Sequence, residues 1–248
     1  LITKMYLEKT VGADTDYTMA NPGYTQMDNI ELEIGGQRID KQTGNFMAAW
    51  AELTQPNPTG LTVGTATGIT AGAWTLFQKM ALAGGVTDGG PLNAVGTHHI
   101  PLNFWFCRNP GLALPLIALQ YHEVKVVVSW ASHARAGTFN QPQLWVDYIY
   151  LDTDERRRFA QQSHEYLIEQ VQHQSMAAGN SEVNFNHPVK ELIWTGAVSA
   201  TGVPAAAAGA TTDTWQLKLN GHDRFAARPL QYFTRQQVHD YHSGYGGV

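Results

Sequence analysis

The chain has 248 residues, and its 16 Lys and Arg against 21 Asp and Glu give a formal net charge of −5. This length suits one large β domain or two smaller ones with a substantial core, and the charge excludes an overall basic surface for nucleic acid. A membrane span needs about 18 consecutive apolar residues, and no apolar run in the sequence is that long. The single cysteine, Cys107, excludes an internal disulfide and favours a reducing compartment.

The first third of the chain predicts two strands and one helix. Residues 1–10 alternate in polarity, and Met27–Ile34 places apolar side chains on one face and Glu31 and Glu33 on the other, as a half-buried strand does. The Gly-Gly pair that follows predicts a hairpin turn. Residues 45–53 have helical spacing with Asn45 as a possible N-cap. Residues 59–73 are almost wholly Gly, Thr and Ala and predict a loop, whereas 74–82 could be helix or strand.

The middle of the chain, residues 98–130, is its most apolar stretch. Its first part, 98–107, alternates with apolar residues on both faces, which predicts a strand buried between two layers. The one face carries Ile100, Leu102, Phe104 and Phe106, and the other carries Trp105 and Cys107. Asn-Pro-Gly at 109–111 breaks the chain, and a second strand with Val124, Val126, Val128 and Trp130 inward follows. Two such strands predict the middle of a β-sandwich.

The rest of the chain predicts further strands and one short helix. Residues 144–151 alternate as a strand, and 152–163 should contain a helical turn capped by Asp152 or Thr153. We expect strands within 166–172, 182–197 and 215–219, and a second Ala/Gly/Thr loop at 201–212. Asn-Gly at 220–221 is a strong signal for a two-residue hairpin.

One hairpin sequence is repeated within the chain. Leu-Glu-Ile-Gly-Gly-Gln-Arg-Ile at 32–39 parallels Leu-Lys-Leu-Asn-Gly-His-Asp-Arg-Phe at 217–225, with Arg38 matching Arg224 after one insertion. The two turns lie about one sandwich domain apart. Only 27 residues follow Gly221, whereas the first copy continues for more than a hundred. Because the first residue is also Leu rather than Met, we expect this chain to be a fragment of a longer subunit.

Four blocks of sequence resemble one protein family. The longest, 100–125, contains Phe-Trp-Phe-Cys-Arg-Asn-Pro-Gly-Leu-Ala-Leu-Pro-Leu, and the others are 30–40, 147–159 and 185–194. In this order they resemble the major capsid proteins of the large DNA viruses of eukaryotes, with matching positions from about residue 28 to 234. The resemblance implies an all-β fold, an antiparallel β-sandwich in which a jelly roll is followed by the start of a second jelly roll, with short helices in the loops.

The same resemblance implies a domain division and a structural function. The first jelly roll would be 1–152 with its start missing, the connection 153–165, and the truncated second jelly roll 166–248. Three subunits would form a pseudo-hexagonal capsomer of an icosahedral shell, so the partners would be copies of itself, neighbouring capsomers, and minor capsid and penton proteins. The location would be the virion, assembled in the host cytoplasm. We expect no enzyme activity, no cofactor, no direct nucleic-acid binding and no membrane span.

The histidines do not match a metal site. His98, His99 and His122 invite comparison with a cupin, which also has histidine ligands in a double-sheet barrel. The cupin pattern separates two histidines by one residue and adds a glutamate, whereas here the first two are adjacent and no acid follows for many residues. His239 and His242 are predicted to be solvated loop residues. We therefore predict no metal-binding, cofactor-binding or catalytic residue in the chain.

Three further groups have an ordinary structural explanation. Cys107 is expected in an apolar strand without a local cationic activator, which indicates a packed thiol rather than a nucleophile. The arginines of Glu155-Arg156-Arg157-Arg158 are flanked by acids, which favours ion pairing over phosphate binding. Glu31 and Glu33 are expected on a solvated strand face rather than as a general acid/base pair.

Two alternative functions differ from a capsid role. A carbohydrate-binding β-sandwich module would need exposed aromatic side chains, for which the candidates are Trp74, Tyr241 and Tyr245. A metal-dependent, cupin-like enzyme would need bound metal in the purified protein. The four resembling blocks favour the capsid protein over both.

Overall fold

The computed structural model describes residues 1–11, 21–58, 74–86, 96–131, 142–177, 179–195 and 214–244. The chain divides into two compact units. The first contains the described residues of Leu1–Gly12, Gln26–Gly44 and Gly96–Ile193, and the second those of Ala13–Thr25, Asn45–Val95 and Trp194–Val248. The loops predicted at 59–73 and 201–212 lie outside the described residues.

The first unit is an antiparallel β-sandwich with two three-stranded sheets. Its strands are β1 (Ile2–Val11), β2 (Met27–Ile34), β3 (Gln37–Thr43), β4 (Gly96–Pro101), β5 (Val124–Trp130) and β6 (Gln143–Tyr148). One sheet has the order β4-β1-β6 and the other β3-β2-β5. Alternate side chains of β1, β2 and β4 are buried in the core, and they include Met5, Leu7, Ile30, Leu32 and Ile100. The strands predicted at 1–10, 27–34 and 124–130 are confirmed.

The predicted strand at 98–107 is only half right. Strand β4 ends at Pro101, whose ring cannot donate to a ladder, and Trp105–Arg108 is a short α-helix preceded by an extended Phe104. The apolar residues of this stretch are nevertheless buried, and the Phe104 and Phe106 rings lie 5.7 Å apart. A short run that is apolar on all sides fits a buried strand or a buried helical turn equally well, so the pattern could not separate them.

The connection after this helix links the two sheets of the sandwich. A 3-10 turn at Pro110–Leu112 follows the helix, and the Asn109 side chain accepts a hydrogen bond from the Gly111 amide at 2.9 Å. The chain then enters β5, which pairs with β2 in the sheet opposite the one that holds β4. Residues 102–123 therefore cross from one layer to the other.

Both predicted two-residue hairpins are confirmed. Gly35 and Gly36 have φ angles of 60° and 79° between β2 and β3, and Asn220 and Gly221 have φ angles of 50° and 79°. Two positive φ angles in succession define the type of turn that matches the twist of a hairpin. The two copies of the internal repeat thus adopt the same local turn.

The predicted helical turn after residue 151 is confirmed as the helix Thr153–Gln161. The side chain of Asp152 accepts a hydrogen bond from the Glu155 amide at 2.8 Å, which identifies Asp152 as the N-cap. None of the helix residues is buried. The helix therefore depends on its cap and its charges more than on packing.

The second unit contains short helices and two-residue strands. Its helices are Pro22–Thr25, Gly44–Thr54 (whose first residue belongs to the first unit), Leu76–Ala81 and Val238–Tyr241, with a π-helical turn at Tyr232–Gln237. The helix predicted at 45–53 is confirmed, but Asn45 is not its cap because the helix already begins at Gly44. The ambiguous stretch at 74–82 contains the helix Leu76–Ala81, whose N-terminus is stabilised by a capping box between Thr75 and Gln78.

The strands predicted in the last third are mostly absent from the described residues. Residues 164–177 and 179–195 contain no regular strand, and the predicted strand at 215–219 is split into Thr214–Trp215 and Lys218–Leu219. At 172–186, side-chain amides make the hydrogen bonds to backbone groups that a neighbouring strand would make in a sheet. The Gln172 amide both donates to the Asn186 carbonyl and accepts from its N–H, at 3.1 and 3.0 Å. Alternation alone predicted extended chain here and could not supply a partner strand.

Candidate assembly surface

Aromatic side chains form a row on the outer face of the sheet β4-β1-β6. Tyr6 on β1 lies opposite Trp145 on β6, with near-parallel rings whose centroids are 6.4 Å apart. On the other side of Tyr6, the His99 ring approaches edge-on at 5.6 Å. Trp145 is 47% exposed. This outer aromatic row is a partly exposed apolar surface, which another protein surface could bury.

The strand β6 borders the same surface. It is the last strand of its sheet, and in the described part of the chain it pairs only with β1. Further exposed apolar side chains lie at this edge. Leu144 and Tyr148 are on the other face of β6, opposite the inward-facing Leu7 and Ile2, and Ile149 and Tyr150 follow the strand. An edge strand with apolar side chains is a ready site for association, which natural proteins usually cover. The outer aromatic row and this edge together form the candidate assembly surface.

Charged groups surround the outer aromatic row. Lys4 and Asp147 are directly opposite each other on β1 and β6, and the His99 imidazole lies 3.4 Å from the Glu8 carboxylate. Both signs of charge therefore occur on one face. An apolar centre with a mixed polar rim is the usual composition of a protein–protein interface.

The acids of β2 form part of an ion-paired hairpin. Glu31 lies 2.8 Å from Lys41 and 3.4 Å from Arg38, both on the neighbouring strand β3. The hydrogen bond from Lys41 is the main cause that lowers the pKa of the Glu31 carboxyl below its usual value. An acid held ionised by two cations is suited to stabilising the hairpin rather than to proton transfer.

The histidines considered as metal ligands do not come together. His98 points into the core, His99 contacts Glu8, and the His122 ring lies against the turn at Gly35. Near the end of the described chain, His239 lies beside Asp240 at 3.0 Å, and the His242 ring lies 6.4 Å from the Trp50 ring. Across the seven described stretches, no group of three His, Cys, Asp or Glu side chains could hold a metal ion.

Cys107 is in the short helix Trp105–Arg108 and half-buried. Burial raises the pKa of its thiol to about 12, although Arg108 and two backbone hydrogen bonds act in the opposite direction. The predicted packed thiol thus agrees with its surroundings, since a thiol with such a high pKa is a poor nucleophile at neutral pH.

The arginine cluster is exposed along the helix Thr153–Gln161. Arg157 lies 3.6 Å from Asp154, one turn earlier, and both side chains are well solvated. An exposed pair of this kind contributes at most a few tenths of a kcal/mol. The predicted ion pairing within the cluster is therefore present but weak.

Only one of the two described aromatic residues proposed for carbohydrate binding is exposed. Trp74 is 6% exposed, which leaves no ring face for a sugar, whereas Tyr241 is exposed. Tyr245 lies outside the described residues.

In the described part of the chain, no helix is long and apolar enough to cross a membrane.

The sequence pattern did not identify Lys9 and Asp40 as buried charged residues. Lys9 follows Met5 and Leu7 on the inward face of β1, so the alternation that located the strand already placed it in the core. Asp40 on β3 is 3% exposed and accepts a hydrogen bond from the backbone N–H of Val171, 131 residues away. Sequence spacing carries no signal for a contact over that distance.

Comparison with known proteins gives a consistent result along the whole chain. A family model described as "Major capsid protein N-terminus" matches residues 1–152, and one described as "Large eukaryotic DNA virus major capsid protein" matches residues 155–245. The major capsid protein of Pyramimonas orientalis virus is 45% identical over 98% of this chain and 60% of its own length. That of Paramecium bursaria Chlorella virus 1 is 34% identical over 100% of this chain and 63% of its own length.

Solved structures agree with the sequence comparisons. The chain is similar to VP54 of PBCV-1, in a crystal structure fitted into a reconstruction of the virophage Sputnik, with a TM-score of 0.73, 34% identity and coverage of 99% of this chain and 68% of the other. A quasi-atomic model of the PBCV-1 capsid gives a TM-score of 0.70 at 33% identity. The predicted double jelly-roll fold is confirmed. This chain spans 60% and 63% of the length of the two curated relatives described above. The chain belongs to the major capsid protein family of large eukaryotic DNA viruses.

Proposed function

We propose that the protein is a structural subunit of a viral shell, in which three copies form a pseudo-hexagonal capsomer of an icosahedral capsid. Its relatives are named major capsid proteins, and a similar chain is part of a capsid model. A threefold assembly of subunits with two similar domains has near-hexagonal edges, so identical capsomers can tile a lattice with few types of contact. No chemistry beyond binding is needed for this role, and we propose that the protein is not an enzyme.

The observation that carries the proposal is the candidate assembly surface of the first unit. Trp145, in the outer aromatic row, and Tyr148, on the other face of the same edge strand, are each about half exposed. Burying such side chains between subunits contributes roughly 25 cal/mol per Å² of apolar surface. Aromatic residues are also the side chains most often found at the energetic centre of protein interfaces.

The domain division remains a proposal. We propose the first jelly roll at 1–152, a connection at 153–165 that contains the helix Thr153–Gln161, and the second jelly roll from 166 onward. The two family models divide the chain between 152 and 155, where the capped helix begins.

We also propose the virion as the location, the host cytoplasm as the place of assembly, and minor capsid and penton proteins as further partners.

The assembly state in solution tests the proposal. We expect light scattering coupled to size-exclusion chromatography to give the mass of a trimer. The double variant Trp145→Glu/Tyr148→Glu should dissociate it, because two carboxylates would be desolvated in the interface. Leu76→Glu is the matched control, since Leu76 is 82% exposed and lies in the second unit. A well-folded monomer at all concentrations would contradict the capsomer, and a trimer unchanged by the double variant would contradict the assigned surface.

A further inference from the structure

The carboxylate of Asp40 is a buried hydrogen-bonding centre in the first unit. Its Oδ1 atom accepts from the backbone N–H of Lys41 and from that of Val171, both at 2.9 Å, and its Oδ2 atom accepts from the Gln42 side chain at 2.9 Å. Gln42 in turn donates to the Asn103 carbonyl at 3.1 Å. Asp40 thus joins its own strand β3 to a segment that follows the capped helix.

The two residues before Val171 contact the same region. The Gln170 side chain donates to the carbonyl of Ile39, next to Asp40. Glu169 lies 2.8 Å from the Arg108 guanidinium and also pairs with Lys190. Three consecutive residues, 169–171, are therefore held by polar contacts to β3 and to the helix Trp105–Arg108.

Polar contacts attach residues 169–171. Leu167, just before them, is 88% exposed, and Ile168 and Val171 are only partly buried, whereas Glu169 makes ion pairs and Gln170 and the Val171 N–H donate hydrogen bonds. A buried carboxylate is tolerated only when hydrogen bonds compensate for the lost water. Burial raises the pKa of Asp40, and the hydrogen bond from Val171 is the largest of the opposing effects. The segment and the carboxylate therefore depend on each other.

We infer that Asp40, Arg108 and residues 169–171 form a polar lock that fixes the start of the region matched by the second family model onto the sandwich formed by the region matched by the first. The polar lock holds one point of the segment 164–177, which forms no regular strand. Opening it should free residues 169–171 and leave the strands β2 and β5 intact. This inference does not depend on the proposed capsid function.

Hydrogen exchange at single-residue resolution tests the lock in the 248-residue chain. Asp40→Asn keeps the volume and one acceptor oxygen but removes the charge, and we expect the Val171 amide to exchange roughly fivefold to tenfold faster, because a hydrogen bond to a neutral acceptor is about half as strong as one to a carboxylate. Arg108→Gln should speed exchange at 169–171 less, because Asp40 still holds Val171. The amide of Leu32, in the middle of β2, should keep its rate in both variants.

Glu123→Gln provides the control for removing an acid. Glu123 is an exposed partner of Lys125 and should leave exchange at 169–171 unchanged. If Asp40→Asn fails to fold, the Arg108→Gln variant and a Gln170→Ala variant still report on the same three amides. Unchanged exchange of residues 169–171 in all the folded variants would overturn the lock, whatever the mass of the assembly.

Discussion

The ammonium nitrogen of Lys9 lies 5.9 Å from the centre of the Trp130 ring, so a cation on β1 faces an indole on β5 in the opposite sheet. Lys9 is 3% exposed. A cation over the face of a Trp ring is attracted by it, by about 1–2 kcal/mol when water is excluded. That attraction is smaller than the cost of burying the charge, because burial lowers the pKa of Lys9 to about 7.

The stability of the first unit should therefore depend on the protonation of Lys9. Between the folded pKa of about 7 and the unfolded value near 10.5, the unfolded chain binds the proton more tightly. The contribution of Lys9 is thus fully present above pH 10.5 and is lost as the pH falls through 7. We expect the free energy of unfolding, measured by urea titration, to rise by about 1–2 kcal/mol from pH 7 to pH 9.5, because ionisation of the Cys107 thiol in the unfolded chain offsets part of the gain from Lys9 above pH 8.5.

The Lys9→Met variant separates this effect from other titrations. Met has a similar length and no charge, so it should raise the stability at pH 7 and remove the rise in stability between pH 7 and 9.5. Lys4→Met, on the outward face of the same strand, is the control and should keep the slope. An unchanged slope in Lys9→Met would show that Lys9 is not the titrating group.

Strands β1, β2, β5 and β6 could be predicted because each one carries its own alternation, as Met5 and Leu7 show on β1. The hairpin turns could be predicted because only residues such as Gly36 and Asn220 tolerate their positive φ angles. The role of Asp40 could not be predicted, because its partner is 131 residues away and a short polar residue gives no periodic signal. The outer aromatic row was equally hidden, since it exists only once β1 and β6 are paired in register.

Gly23 allows a close backbone contact in the second unit. A Cβ atom added there would lie 1.8 Å from the carbonyl oxygen of Ala81, at the end of the helix Leu76–Ala81. Because a backbone atom cannot move away like a flexible side chain, Gly23→Ala should destabilise the second unit by about 2–4 kcal/mol. Thermal unfolding followed by circular dichroism checks this expectation.

Gly179→Ala is the control for Gly23. Gly179 has a φ of 88° with nothing within 4 Å of the added Cβ atom, so its substitution reports backbone strain alone, about 1 kcal/mol. Equal losses in the two variants would contradict the steric explanation for Gly23.

Asn21 joins three segments of the second unit through its side chain. It donates to the Glu52 carboxylate at 2.7 Å and accepts from the backbone amides of Gly85 and Val86 at 3.2 and 3.1 Å. Burial raises the pKa of Glu52, and the hydrogen bond from Asn21 opposes that rise. Asn21→Ala should therefore cost roughly 2–4 kcal/mol in a urea titration at pH 7 and raise the pKa of Glu52 further.

The backbone of Asn21 requires a separate control. Its φ of 49° is in the left-handed region, which Asn tolerates better than Ala. Asn21→Gly removes the side-chain bonds without the conformational cost, so it should lose only the hydrogen-bond share of the stability. If Asn21→Gly is as stable as the parent protein, the three hydrogen bonds do not hold the second unit together.

The thiol of Cys107 should be almost inert in the folded protein. With a pKa of about 12, roughly one thiol in ten thousand is ionised at pH 8, against about one in four at the ordinary value near 8.5. Iodoacetamide should thus alkylate the native protein about a thousandfold more slowly than the same protein in urea, as measured by mass spectrometry. Since the chain has one cysteine, every alkylated molecule reports this site. A native rate close to the denatured rate would mean that the helix Trp105–Arg108 opens readily, because only the exposed thiol has the ordinary pKa.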